Sequence, residues 1–135
     1  MTVRPLVSLV VVIYNMAREA PRTLATIRGQ VGIDLADVEV IVVDNGSDVA
    51  LDERLLEGFV HHQSLRIDPA PSSPVRAANL GIAQARGELV GLLIDGARML
   101  SPGLVAGAVR AARLVEVPVV SALAFHLGDE RHAQA

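Results

Sequence analysis

The stretch V-E-V-I-V-V-D-N-G-S-D, residues 38–48, decides the fold. Apart from Glu39, its first six positions are Val or Ile, residues that suit a pleated strand. The run shows no in-and-out alternation, which reads as a strand buried on both faces, as in parallel sheets covered by helices. It then breaks at once into Asp44-Asn45-Gly46-Ser47-Asp48, all turn-forming types. A buried strand ending in a polar turn is the repeating pattern of open α/β sheets, where ligands bind beyond the carboxyl ends of the strands.

The pattern recurs on either side. Residues 6–14 are nearly all apolar and run into Tyr14-Asn15, and residues 88–94 form a further buried strand with Asp95-Gly96-Ala97 at its end. Helix-length segments lie between them. Pro21 suits the first turn of a helix that runs to about Gln30, with Leu24, Ile27 and Val31 on one stripe and Gly29 and Gly32 marking its end. Residues 75–86 read as a helix closed by Gly87, and another starts near Pro102 and continues to about Arg113. Residues 52–58 predict a short helix, 64–67 a weaker strand, the proline-rich 69–74 a loop, and 117–125 a last strand. The order β-α-β-α-β-α-β-α-β predicts right-handed crossovers and a parallel sheet with helices on both faces. Tyr14-Asn15, Asp44–Asp48 and Asp95-Gly96 then converge on one edge of that sheet.

Composition narrows the function classes. The 135 residues fit one domain; the pattern fills 1–127 and leaves 128–135 as a polar tail. Aromatics are limited to Tyr14, Phe59 and Phe125, so the core is built from Val, Leu, Ile and Ala. With no cysteine there are neither disulfides nor thiolate metal sites. All 12 basic residues are arginine and the net charge is -3, which does not read as a nucleic-acid binder. The longest apolar runs fall far short of the ~20 residues of a membrane span, and a cytoplasmic location is the expectation. Arg4 and the apolar stretch after it resemble a signal peptide only superficially, because the stretch is strand-like and ends in a polar turn.

The chemistry-bearing candidates sit at the ligand edge. Asp44, held by a rigid strand, can accept hydrogen bonds from a base or ribose; it can equally close an Asx turn, with Asn45-Gly46 supplying positive φ angles. Asp95 is held in the same way, and a second carboxylate beside it would make a cation site bridging two phosphates, but position 97 is alanine. Arg76 opens a helix, where the macrodipole disfavours a cation, so it reads as a phosphate or base contact. Arg98, Arg110 and Arg113 read as a solvated face. The histidines His61, His62, His126 and His132 read as polar surface rather than metal ligands, although Asp129 and Glu130 lie between the last two. No G-x-G-x-x-G follows the first strand, no G-x-S-x-G elbow exists, and a chain without lysine has no Walker motif.

Four motifs in order carry a resemblance. V-S-L-V-V-V-I-Y-N (7–15) resembles the opening strand of family 2 glycosyltransferases, although Val12 and Ile13 stand where proline and threonine are common. E-V-I-V-V-D-N-G-S-D (39–48) resembles the family's second strand and its nucleotide-contacting aspartate. N-L-G-I-A-Q-A-R-G-E-L-V-G-L-L-I-D (79–95) resembles the approach to the D-x-D motif, and S-P-G-L (101–104) the start of the next helix. The resemblance covers about residues 5–110. It implies a Rossmann-like (GT-A) α/β three-layer sandwich with a mostly parallel sheet, cut short.

The resemblance also implies a binding site for a nucleoside-diphosphate sugar. In it the backbone of Ile13, Tyr14 and Asn15 cradles the base, and Asp44 hydrogen-bonds base or ribose. Arg76 contacts base or phosphate, although the family's arginine often stands where this chain has Ala78. Asn79 braces the site. Asp95, with Gly96 after it, matches the first aspartate of D-x-D and is the one candidate ligand for Mg²⁺ or Mn²⁺. Ala97 removes the second ligand, which weakens any cation site and leaves metal dependence open.

No catalytic residue is assigned. Inverting transfer to a sugar or lipid-linked hydroxyl acceptor needs a base opposite the leaving diphosphate, and Glu116, Asp129 and Glu130 fit that place poorly. The expectation is therefore a donor-binding portion with little transfer activity of its own. Two rivals stand beside it: a non-catalytic, transferase-like binding or assembly module marked by Ala97, and a nucleotide-binding regulatory domain without sugar preference. A shortened sheet would bare apolar surface, so self-association as a homodimer is expected.

Overall fold

The computed structural model describes residues 3–94 and 96–125. Asp95, His126, His132, Asp129, Glu130 and the tail 128–135 lie outside the described residues. Strands β1 (Val7–Ile13) and β2 (Val38–Asp44) form the centre, and every residue of both is buried. They pair in parallel, with β3 (His61–Arg66) outside β2 and β4 (Leu89–Leu93) outside β1, giving the order β3-β2-β1-β4. Alternation of side chains divides each central strand between two cores. Val10, Val12, Ile41 and Val43 pack against Ala77 and Ala78 of helix α2 (Val75–Gln84). On the other face Leu9, Val11, Val40 and Val42 join Leu24 and Ile27 of α1 (Ala20–Arg28) and Val105 and Val109 of α3 (Leu104–Ala112). These are the three layers expected from sequence.

Close packing explains an otherwise costly helical glycine. A Cβ on Gly81 would collide with the side chain of Val10 and sit 3.1 Å from Val43 Cγ2, so α2 lies closer to the sheet than alanine would permit. Helix interiors disfavour glycine by about 1 kcal/mol, and burial of α2 against two strands offsets that.

Several elements differ from expectation, each for a physical reason. β3 begins at His61 rather than Ser64, because parallel pairing from Glu39↔His61 to Asp44↔Arg66 imposes extended backbone on polar residues. β4 is buried on one face only. Leu89 and Leu93 reach the α1–α3 core, whereas Val90 and Leu92 are 45% and 41% exposed, since α2 lies over β1 and β2. The expected helix at 52–58 is a single 3₁₀ turn, Glu53–Leu56. The expected strand at 117–125 does not form: Val117, Val119, Leu123 and Phe125 are all more than four-fifths exposed. Apolar composition does not make a strand where no neighbour pairs with it, and Pro118 lacks a ladder donor. No helix among the described residues is long and apolar enough to cross a membrane.

At the amino end of the sheet, away from the polar turns, a single buried charge holds three strands and a loop together. Glu39 is fully buried. Its Oε2 accepts from Ser8 Oγ at 2.5 Å and the Arg86 amide at 2.9 Å, and its Oε1 accepts from Arg86 Nε at 2.7 Å and Gln63 Nε2 at 3.1 Å. Ser8 Oγ in turn accepts from the Gly87 amide at 2.8 Å. Burial opposes ionisation of Glu39, but the hydrogen bonds from Ser8, Arg86 and Gln63 outweigh it and lower the carboxyl from 4.5 to about 2. A carboxyl lowered on folding contributes stability that is complete above its unfolded value and lost as pH falls through the folded one. The Glu39 contribution, of order 3 kcal/mol, should therefore decline between about pH 4.5 and pH 2. Glu39→Gln should lower stability at pH 7 by about 2–4 kcal/mol and flatten the acid limb of the curve. Urea unfolding at pH 7 and pH 3 checks both; a variant whose stability falls with acid as steeply as the parent would disprove the assignment.

Candidate functional site

Parallel register sets the site. Ile13 and Asp44 are partners at the carboxyl ends of β1 and β2, so the turns that follow emerge side by side. Four hydrogen bonds clip them together. The Asn45 amide donates to Ile13 O at 2.8 Å and the Asn15 amide to Ser47 Oγ at 2.8 Å. The Asp48 amide donates to Asn15 Oδ1 at 2.9 Å, and Asn15 Nδ2 reaches Asp48 Oδ2 at 3.3 Å. Asn15 adopts φ 50°, a left-handed conformation that asparagine tolerates better than most residues. In the second turn Gly46, at φ 82°, supplies the positive φ, and Asn45 does not share that role as the sequence suggested. A Cβ on Gly46 would also meet Ala70 Cβ at 2.8 Å. Between the two turns lies a cleft of about 370 Å³, bounded by Asn15, Met16, Ser47, Asp48 and Leu51.

Asp44 helps to build this loop. It is 3% exposed; Oδ1 accepts from the Ser47 amide at 2.9 Å, and Oδ2 from the Leu51 amide at 3.3 Å and Arg66 Nη1 at 3.0 Å. Arg66 Nη2 donates to Ser47 O at 2.8 Å as well, tying the end of β3 to the same turn. These bonds serve the turn, and Oδ1, which accepts a single hydrogen bond, keeps acceptor capacity beside it.

The residue that sequence reasoning passed over is its neighbour. Asn45 is 7% exposed, and its Nδ2 donates to Pro71 O at 3.2 Å and Ser73 O at 3.5 Å. Its Oδ1 is buried and has no hydrogen-bond partner among the described residues. Flipping the amide would set an oxygen against two carbonyl oxygens, so the orientation is fixed by the network. A buried acceptor without a donor costs about 1–3 kcal/mol, a deficit that a ligand N–H would remove. The only signal in the sequence is an asparagine inside a turn, where backbone conformation is the simpler explanation.

The remaining candidates lie on α2 or beside the end of β1. Pro71 and Ser73, bonded to Asn45, lead directly into α2, whose first turn carries Arg76 and whose second carries Asn79; both side chains are exposed. Tyr14 is 55% exposed at the end of β1. Gly96 lies against the same strand end: a Cβ there would sit 2.5 Å from Ile13 Cγ2 and 3.2 Å from Met16 Sδ. Asp95 falls outside the described residues. No group of three or more His, Cys, Asp or Glu among the described residues forms a metal cage, and Ala97 offers no side-chain oxygen. His62 Nδ1 lies 2.8 Å from Phe59 O, a local contact within β3 and the loop before it.

Comparisons with known proteins agree with this arrangement. The chain has no match among curated proteins. In solved structures its fold is similar to S. aureus TarS residues 1–349, at TM-score 0.69 and 20% identity over 80% of this chain and 32% of that one. That protein is also known in complex with UDP and with UDP-GlcNAc. A mannosyltransferase from Pyrobaculum calidifontis, in complex with GDP-Man and Mn²⁺, is similar at TM-score 0.58 and 25% identity, over 71% of this chain and 28% of that one. The chain thus spans about a third of the length of these neighbours. The four-stranded parallel sheet is that of the Rossmann-like GT-A fold, and the match of Glycosyl transferase family 2 to residues 8–109 covers most of the sequence. The chain belongs to glycosyl transferase family 2.

Proposed function

We propose that this chain is the nucleotide-sugar-binding portion of an inverting glycosyltransferase that transfers a sugar to a hydroxyl acceptor. The observation that carries the reading is the buried, unpartnered Oδ1 of Asn45, set between the β1–β2 turns and the loop leading to Arg76. An acceptor there suits the ring N–H that uracil and guanine present, and the neighbours in fold were solved with UDP, UDP-GlcNAc and GDP-Man. In this reading the backbone of Ile13, Tyr14 and Asn15 cradles the base and Asn45 reads it. Asp44 holds the loop that carries Asn45 and hydrogen-bonds base or ribose with its remaining acceptor position. Arg76 meets base or phosphate, Asn79 braces the start of α2, and Asp95 with Gly96 stands at the diphosphate. A cytoplasmic location goes with this reading. Ala97 favours a second reading, a transferase-like module that binds without catalysing.

Calorimetric titration with UDP, GDP and their sugar conjugates, each in Mn²⁺ and in EDTA, tests the proposal. One nucleoside diphosphate should bind, and EDTA should weaken it by less than about tenfold, because a single carboxylate holds a cation poorly. A folded sample that binds none of them overturns the donor-site reading.

Asn45→Leu should lower nucleotide affinity by about tenfold, the value of one hydrogen bond to a buried acceptor. Titration beside a thermal melt makes the comparison, and unchanged affinity would remove Asn45 from the site.

Val90 and Leu92 on the open face of β4, with the exposed apolar residues of 117–125, also favour self-association as a homodimer. Sedimentation at high concentration should show it, and a monodisperse monomer would refute it.

A further inference from the structure

Helix α1 carries a polar stripe that no binding role accounts for. Thr23 and Thr26 of α1, and Gln30 just past its end, fall at spacings of three and four along one side of the chain. Threonine is a mediocre helix former, and Thr23 is fully buried. Each of the three side chains is spent on the backbone of one segment, 96–105. Thr23 Oγ1 donates to Gly96 O at 2.6 Å. The Leu100 amide donates to Thr26 Oγ1 at 3.0 Å, while that hydroxyl donates to Thr23 O at 2.7 Å. Gln30 Nε2 donates to Ser101 O at 2.8 Å, and Gln30 Oε1 accepts from the Val105 amide at 3.0 Å. Just beyond the helix, the Val31 amide donates to Pro102 O at 2.6 Å.

Apart from the Thr26–Thr23 bond within α1, all of these reach main-chain atoms of the segment, so its path is held whatever its side chains are. Gly96 is held from both sides. Its carbonyl is taken by the Thr23 hydroxyl, and the space where a Cβ would project is filled by Ile13 and Met16. Gly96 directly follows Asp95, at the place where the proposed site meets the diphosphate.

We infer that Thr23 is a positioning residue for the diphosphate end of the site, acting through Gly96, with Thr26 and Gln30 extending the same template along the segment. The inference rests on the donor-site reading above. Preorganised backbone lowers the cost of ordering the segment when ligand arrives. Because the template's hydrogen bonds outside α1 go to the 96–105 segment and none to the turns after β1 and β2, its removal should be felt by the diphosphate and not by the nucleoside.

The test compares wild type, Thr23→Val and Thr23→Ser in calorimetry against UDP and uridine, with GDP and guanosine as the alternative pair. Thr23→Val should raise Kd for the diphosphate by about three- to tenfold, the range of one lost hydrogen bond. Affinity for the nucleoside should hold, and Thr23→Ser should restore the diphosphate value. Hydrogen exchange of the 96–101 amides should quicken in Thr23→Val alone. Should the valine variant fail to fold, Thr23→Ala carries the same comparison. Equal losses for diphosphate and nucleoside, or no loss for either, would overturn the inference while leaving the donor site intact. A folded wild type that binds neither diphosphate overturns both, and is recognised before any variant is made.

Discussion

The structure depends on β1 and β2 being buried on both faces and paired in parallel. A strand with apolar side chains on both sides cannot lie at a surface, so it requires a layer of helix above and another below. Val10, Val12, Ile41 and Val43 demand α2, and Leu9, Val11, Val40 and Val42 demand α1 and α3. Parallel pairing adds the second consequence. It brings Ile13 level with Asp44, so both polar turns leave the sheet at the same edge and can bond to one another. The site is thus a by-product of the core: the register that satisfies the apolar residues also aligns the turns.

The two ends of the sheet use buried polar groups in opposite ways. At the amino end Glu39 is surrounded by Ser8, Gln63 and Arg86, which together satisfy both oxygens. A buried charge so fully bonded fixes the α2–β4 connection and leaves nothing over for a ligand. At the carboxyl end Asp44 accepts three hydrogen bonds, from Ser47, Leu51 and Arg66, and holds the turn. Asn45 differs, because its donor side is used and its acceptor side is not. A buried acceptor without a donor is costly, and a ligand N–H is one way to supply it. This contrast, more than charge, distinguishes the neighbours Asp44 and Asn45.

Much of this was legible in the residues, and what was not has definable causes. The continuous Val and Ile runs announced β1 and β2, and the turn residues after them located the edge where the two polar turns meet. The pattern could not say how far each strand is covered. Val90 and Leu92 look as buried as Val10 and Val12 in sequence, yet they stand on an edge strand beyond the reach of α2. The run at 117–125 has strand composition but finds no pairing edge among the described residues, and pairing is a tertiary fact. The sequence likewise marked Asp44 for its charge, whereas which of two adjacent side chains holds a buried acceptor without a donor depends on hydrogen bonds that only coordinates reveal.

The same limit applies to α1, and there it bears on the missing second aspartate. Apolar periodicity picked out Leu24, Ile27 and Val31 and passed over Thr23, Thr26 and Gln30 as filler between them. Those three are what α1 offers to the segment after β4, and what they hold is backbone rather than side chain. A site that recognises a diphosphate through carboxylates and a cation requires particular residues at particular positions. A site that presents a held main chain requires only that the chain be held, and it tolerates alanine at position 97 without losing its shape. The polar stripe of α1 and the alanine after Gly96 are therefore consistent with one another: the segment's geometry comes from the helix beneath it and does not depend on an acidic side chain at position 97.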